Sequence, residues 1–179
     1  MALTQIATGM IADSAVTDAK IAAMAASKLS GQVPAANATS GSIVQVVTGS
    51  TNVNVTNSTT TYVDTGITAT ITPRFSTSRI LVLTSIQGLF KSSGSSLNRI
   101  GIKLLRNATE LDASLANLWT QSAVEARQSS VYNFTDSPAS TSALTYKVTF
   151  CNEQGVAEVR IQRDSNSGTS SIILLEVAA

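Results

Sequence analysis

The run LTYKVTFC, residues 144–151, decides the fold class. Leu144, Tyr146, Val148 and Phe150 alternate with Thr145, Lys147, Thr149 and Cys151. A side-chain period of two belongs to a strand with one face on a core and the other in water, whereas a helix repeats every 3.6 residues. Downstream, Asn152 to Gly155 supplies a hairpin turn, and Ala157, Val159 and Ile161 then alternate with Glu158, Arg160 and Gln162. A turn at Asp164 to Thr169 leads into the closing strand SIILLEV, residues 171–177. Upstream, Val124 to Phe134 reads as a long strand, and Asp136-Ser137-Pro138 opens the turn after it.

The same period governs the chain further back. Asn98 to Leu105 sets Ile100, Ile102 and Leu104 on one face, and Arg106-Asn107-Ala108 makes a tight turn. Between Ala108 and Trp119 the leucines at 111, 115 and 118 fit helical spacing as well as a strand, and both readings stay open. RILVLTSIQGLF, residues 79–90, is the most apolar strand, with Gly88 at the place for a bulge. Ile67, Ala69 and Ile71 alternate with Thr68, Thr70 and Thr72 until Pro73 stops the strand. IVQVV, residues 43–47, is apolar on both faces, which predicts a central or interfacial strand ending in a turn at Gly49 to Asn52. Roughly nine short strands at intervals of about 8 to 15 residues predict an all-β fold, an antiparallel β-sandwich of jelly-roll type over residues 39–179. A parallel α/β architecture lacks its crossover helices.

Residues 1–38 follow another rule. Ile6, Ile11, Val16 and Ile21 recur at a step of five, and Met24 and Leu29 repeat that step in a shifted frame. Five is the period of neither strand nor helix, and the intervening Ala, Thr, Ser, Asp and Lys are too small to fill a core. Such a segment offsets its ordering entropy only by packing against copies of itself or another protein. These six residues therefore define an extended attachment or trimerisation arm. Part of it fits a short helix, with Asp18 as N-cap and Gly31 as stop.

Composition narrows the function. The 179 residues carry 12 Lys and Arg against 11 Asp and Glu, a net charge of +1 that gives no field for nucleic acid or an anionic membrane. There is no histidine and one cysteine, so the usual neutral-pH base, a disulfide framework and a Cys/His zinc site are all missing from one chain. The start lacks the basic and apolar regions of a signal peptide, and the run Ile172 to Leu175 is too short to cross a bilayer, so a soluble protein made in a cytosol is the expectation.

Candidate chemistry is sparse. Glu110 with Asp112, or Glu153 with Glu158, have the residue types of a glycosidase pair, but they fall in turns or on solvent faces and read as solvated carboxylates. Cys151 reads as a buried or sheet-surface thiol. Neither catalytic, cofactor-binding nor metal-ligating residues are expected, and the chain reads as no enzyme. Trp119, with Arg127 nearby, is a candidate receptor contact, since an exposed aromatic among amides and guanidinium suits a sugar ring; a core or intersubunit anchor is the commoner use of such a tryptophan.

The arm IATGMIADSAVTDAKIAAMAASKLSG, residues 6–31, leading into VPAANA, resembles the short Ala/Thr/Asp/Lys repeats ahead of terminal domains in tail fibres and appendages of tailed bacteriophages. SIVQVVTGSTNVNVTNSTTTYVDTGITATITPRFSTSRILV, NFTDSPASTSALTYKVTF and the ending SSIILLEVA are similar to the β-domain that follows such repeats. The resemblance implies a homotrimeric virion protein, assembled in the host cytoplasm. Its arm would dock on other virion proteins, and its loops at Lys91 to Asn98 and Asn107 to Ala126 would present to a host-surface glycan. Neither nucleic acid nor membrane insertion is implied. A single short repeat segment is too short for a shaft, which leaves a capsid decoration protein as the alternative.

Overall fold

The computed structural model describes residues 38–113, 118–164 and 168–179. The six arm residues Ile6, Ile11, Val16, Ile21, Met24 and Leu29, and the expected arm helix, lie outside the described residues.

The described chain is all-β, with every strand pair antiparallel and no helix among the described residues. Ten strands follow in order: β1 (Ile43–Thr51), β2 (Val55–Asn57), β3 (Val63–Ile71), β4 (Arg79–Lys91), β5 (Ile100–Arg106), β6 (Thr109–Ala113), β7 (Ala126–Asp136), β8 (Leu144–Asn152), β9 (Val159–Ile161) and β10 (Ser170–Val177). Sheet A runs β1-β10-β4-β9-β2 with β7 also on β4, and sheet B runs β3-β8-β5-β6.

The register simplifies sheet A. Val177 to Ser171 lie opposite Arg79 to Ser85, and further along the same side of β4, Arg160 and Val159 lie opposite Phe90 and Lys91. β10 and β9 thus share one lane, interrupted between Ile161 and Ser170, and β1 and β2 share the next. With β7 on the far side of β4, sheet A is four lanes wide, as is sheet B.

Alternation builds the core between the sheets. Ile67, Ala69 and Ile71 of β3, Ile100, Ile102 and Leu104 of β5, and Tyr146, Val148 and Phe150 of β8 join Ile80, Val82 and Ile86 of β4 and Ile172 and Leu174 of β10 in one buried cluster. Each fully buried aliphatic side chain there contributes on the order of 2 kcal/mol from removal of apolar surface from water. The bulge expected at Gly88 is present: the β4–β7 register shifts between Ile86 and Leu89, and Gly88 has φ +63°.

Three expectations change. β1 is an edge strand beside β10, not a central one, and its apolar outward residues Ile43 and Val46 are 58% and 53% exposed. Gly49 lies inside β1 and does not turn the chain; a Cβ there would stand 1.9 Å from the Thr68 carbonyl oxygen, so the missing side chain lets β1 and β3 close one corner of the two sheets. Of the open stretch Ala108 to Trp119, Thr109–Ala113 is strand β6, entered by a turn in which Asn107 takes φ +53° and its side chain accepts the Thr145 N–H at 2.9 Å, while Leu115 lies outside the described residues.

Buried polar groups close both ends of the core. At one end, Asp136 accepts from Arg106 Nη1 at 2.8 and 2.6 Å and from the Tyr146 hydroxyl at 2.6 Å. In the same inward row, Glu176 accepts from Gln45 Nε2, the backbone N–H of Arg74 and Phe75, and the Ser78 hydroxyl. At the other end, Asn152 donates to Asn98 Oδ1 at 2.5 Å, and Asn98 donates to the Glu158 carbonyl at 2.8 Å.

Candidate interaction surfaces

The outer faces of the two sheets differ in chemistry. On sheet B, the outward side chains include Thr68, Thr70, Thr145 and Lys147, with Thr70 and Thr145 hydroxyls 2.8 Å apart and Lys147 paired with Asp64 at 2.8 Å. Lys103 pairs with Glu110 at 2.6 Å and stands 4.3 Å from the centre of the Tyr62 ring. This is the polar face expected of a sheet with one side in water.

Sheet A breaks that rule. Its outward rows read Val46–Leu175–Leu81–Thr135, then Thr48–Ile173–Leu83–Asn133, then Ser50–Ser171–Ser85–Val131. Leu81, Leu83, Ile173 and Leu175 are half-buried and lie outside the core cluster, and Val131 is 72% exposed. No charged residue falls in these three rows. The sequence carries the signal: RILVLTSI and SIILLEV have apolar residues at consecutive positions, so alternation cannot hide them all.

At the Lys91 end of sheet A the face becomes charged, with arginines and carboxylates together. Phe90 is flanked across the strands by Arg127 of β7 and Arg160 of β9, and the guanidinium carbons of Arg163 and Arg160 stand 4.2 and 5.6 Å from its ring centre. The Gly88 bulge leaves a shallow depression of about 450 Å³, lined by Gly88, Leu89, Arg127, Gln128, Ser129, Arg163 and Asp164. Glu125 lies 3.7 Å from Arg127 and 3.6 Å from Arg163. Arg127 is thus part of a polar, hydrogen-bonding hollow.

Trp119 is 47% exposed, bridges to Arg99, and donates its indole N–H to the Ser96 carbonyl at 3.2 Å. It is not among the residues lining the Arg127 hollow, so the two candidate contacts do not share one site. The expected presentation of Lys91 is overturned. Its side chain is fully buried, and its ammonium donates to the carbonyls of Ser92, Ser95, Ser122 and Val124, the last at 2.9 Å. Burial lowers its pKa. The lysine pins the 92–98 segment down because carbonyl oxygens replace the water its charge gave up.

The carboxylate candidates are occupied structurally. Glu110 and Asp112 lie on β6, not in a turn; Glu110 takes Lys103 and Asp112 accepts the Tyr132 hydroxyl. Burial and that carboxylate push the Tyr132 hydroxyl up to about 12. Glu153 pairs with Arg99, and Glu158 with Arg160 at 2.7 Å. Cys151 is 2% exposed, and burial pushes its thiol up, which disfavours the reactive thiolate.

Sequence reasoning passed over Glu176. Burial alone would raise its carboxyl, but the hydrogen bonds from Gln45, Ser78, Arg74 and Phe75 outweigh that and hold it below the ordinary range. Nothing in SIILLEV distinguishes an inward glutamate from an outward one except its register in a strand.

The chain matches no protein-family model and no curated protein.

Proposed function

We propose that this chain is a bacteriophage virion structural protein: a homotrimeric tail-fibre or baseplate appendage attached through residues 1–38 and meeting the host surface with its β-domain. The observation that supports this reading is the strand order. Numbered as lanes along the chain, sheet A reads 1-8-3-6 and sheet B 2-7-4-5. Two interleaved Greek keys produce that order, so we read the domain as a jelly-roll β-sandwich, an architecture used by viral coat and lectin domains. The candidate carboxylates and the thiol are committed to packing or structural bonds, which favours assembly over catalysis.

Host attachment in this reading uses hydroxyl-rich glycan chemistry, with the Arg127 hollow and the exposed edge of Trp119 as separate contacts multiplied by three copies. Gold-labelled antibody on intact phage particles tests the proposal. Label at the tail tip supports an appendage. Head-wide label replaces it with capsid decoration, and unlabelled particles remove the virion reading altogether.

A further inference from the structure

We propose that the outer face of sheet A is the surface through which copies of this chain associate; this rests on the homotrimer reading above and names the surface involved. An antiparallel sheet with one solvated face alternates apolar and polar side chains, and sheet B does so. Sheet A instead presents Val46, Leu175, Leu81, Ile173, Leu83 and Val131 across its four lanes, with no contact to the core cluster.

The size of the face fits a second copy. Four lanes at strand spacing are about 19 Å wide, and the eight-residue pairing of β1 with β10 is about 27 Å long. That is roughly 500 Å² in flat projection, and more as accessible surface. The flat projection is below the ~800 Å² that each partner gives to a standard complex, and apolar patches of ~300–600 Å² on a single chain are often functional.

Its chemistry fits a copy as well. The three rows hold six aliphatic residues and six Ser, Thr or Asn, so copies of the face meet without like charges. The arginines at 79, 127 and 160 stand at the two ends of the face, where charges at a rim stay hydrated. β7 is a long edge strand with Val131 exposed, and its two charged residues, Arg127 and Asp136, lie toward its ends, clear of the three rows.

The test uses the full chain at micromolar concentration. Light scattering of the wild type, Ile173→Lys, Leu81→Lys and the sheet B control Thr70→Lys is combined with hydroxyl-radical footprinting of Leu83, Ile173 and Leu175. Expected are an oligomer with those three side chains protected, at least tenfold weaker association in each sheet A variant, and no change in Thr70→Lys. Far-UV circular dichroism and thermal midpoints close to wild type ensure that loss of assembly is not loss of fold.

An oligomer whose sheet A face reacts freely overturns the proposal while the homotrimer reading survives through other residues. A monomer with a protected face overturns it in favour of cover by residues of the same chain. A monomer with a reactive face overturns both this interface and self-association, and leaves particle labelling to decide the virion role.

Discussion

Arg106 at the end of β5 and Asp136 at the end of β7 join the two sheets through one guanidinium nitrogen that reaches both carboxylate oxygens, at 2.8 and 2.6 Å. The Tyr146 hydroxyl completes the cluster from β8. Burial alone would lower the Arg106 pKa, but the Asp136 charge outweighs it and raises it. Burial and the same carboxylate raise the Tyr146 hydroxyl. Asp136→Ala leaves a half-buried guanidinium and a buried phenol without their acceptor, so a loss of about 3 kcal/mol is expected from urea unfolding. Glu110→Gln, which breaks the more exposed pair with Lys103, is expected to cost under ~1 kcal/mol. Equal losses in the two variants would show that Arg106–Asp136 is not a structural clamp.

The Glu176 carboxylate predicts acid sensitivity. Its folded pKa lies below the ordinary 4.5, so its contribution is fully present above 4.5 and is lost as pH falls through the folded value. Glu176→Gln is expected to be less stable than wild type at pH 7 and to show a shallower loss of urea midpoint on acidification. Parallel curves for the two proteins would mean that Glu176 ionises alike in both states.

Gly49→Ala tests the corner where β1 meets β3. The new methyl would stand 1.9 Å from the Thr68 carbonyl oxygen, which is backbone and cannot rotate away. The strands must part, at a cost of about 2 to 3 kcal/mol. A thermal midpoint within a degree or so of wild type would rule out the close approach.

Cys151 is expected to report global unfolding. Its thiol lies buried on β8 beside Tyr62, and burial keeps it protonated. Iodoacetamide at mildly alkaline pH should label the native chain at a rate that tracks opening, and label it at once in concentrated guanidinium. Fast native labelling would place the thiol at an accessible surface.

Much of the β architecture was legible because strand periodicity is local. Thr145 and Tyr146 point to opposite faces by covalent geometry alone, and the Gly88 bulge and the Asn107 turn follow from residues that favour those backbone conformations. Lys91 shows where this reasoning stops. A lysine followed by serines and glycine reads as a loop start, yet its ammonium is caged by carbonyls from residues up to 33 positions away. Only lane order brings those carbonyls to it.

The sequence by itself determined the antiparallel β-fold of the described residues, and it shows the consecutive apolar positions in RILVLTSI and SIILLEV. It also determined that, without histidine, the usual neutral-pH base is missing. Tertiary structure decided which apolar side chains share a face. Val46, Leu175, Leu81 and Leu83 belong to three different strands, and they become one apolar surface only when β1, β10 and β4 lie side by side. The inward fate of Glu176 and Asp136 was decided in the same way. A carboxylate is held in a core only where distant donors converge on it, and their convergence is a property of the packed sheets that no stretch of sequence contains.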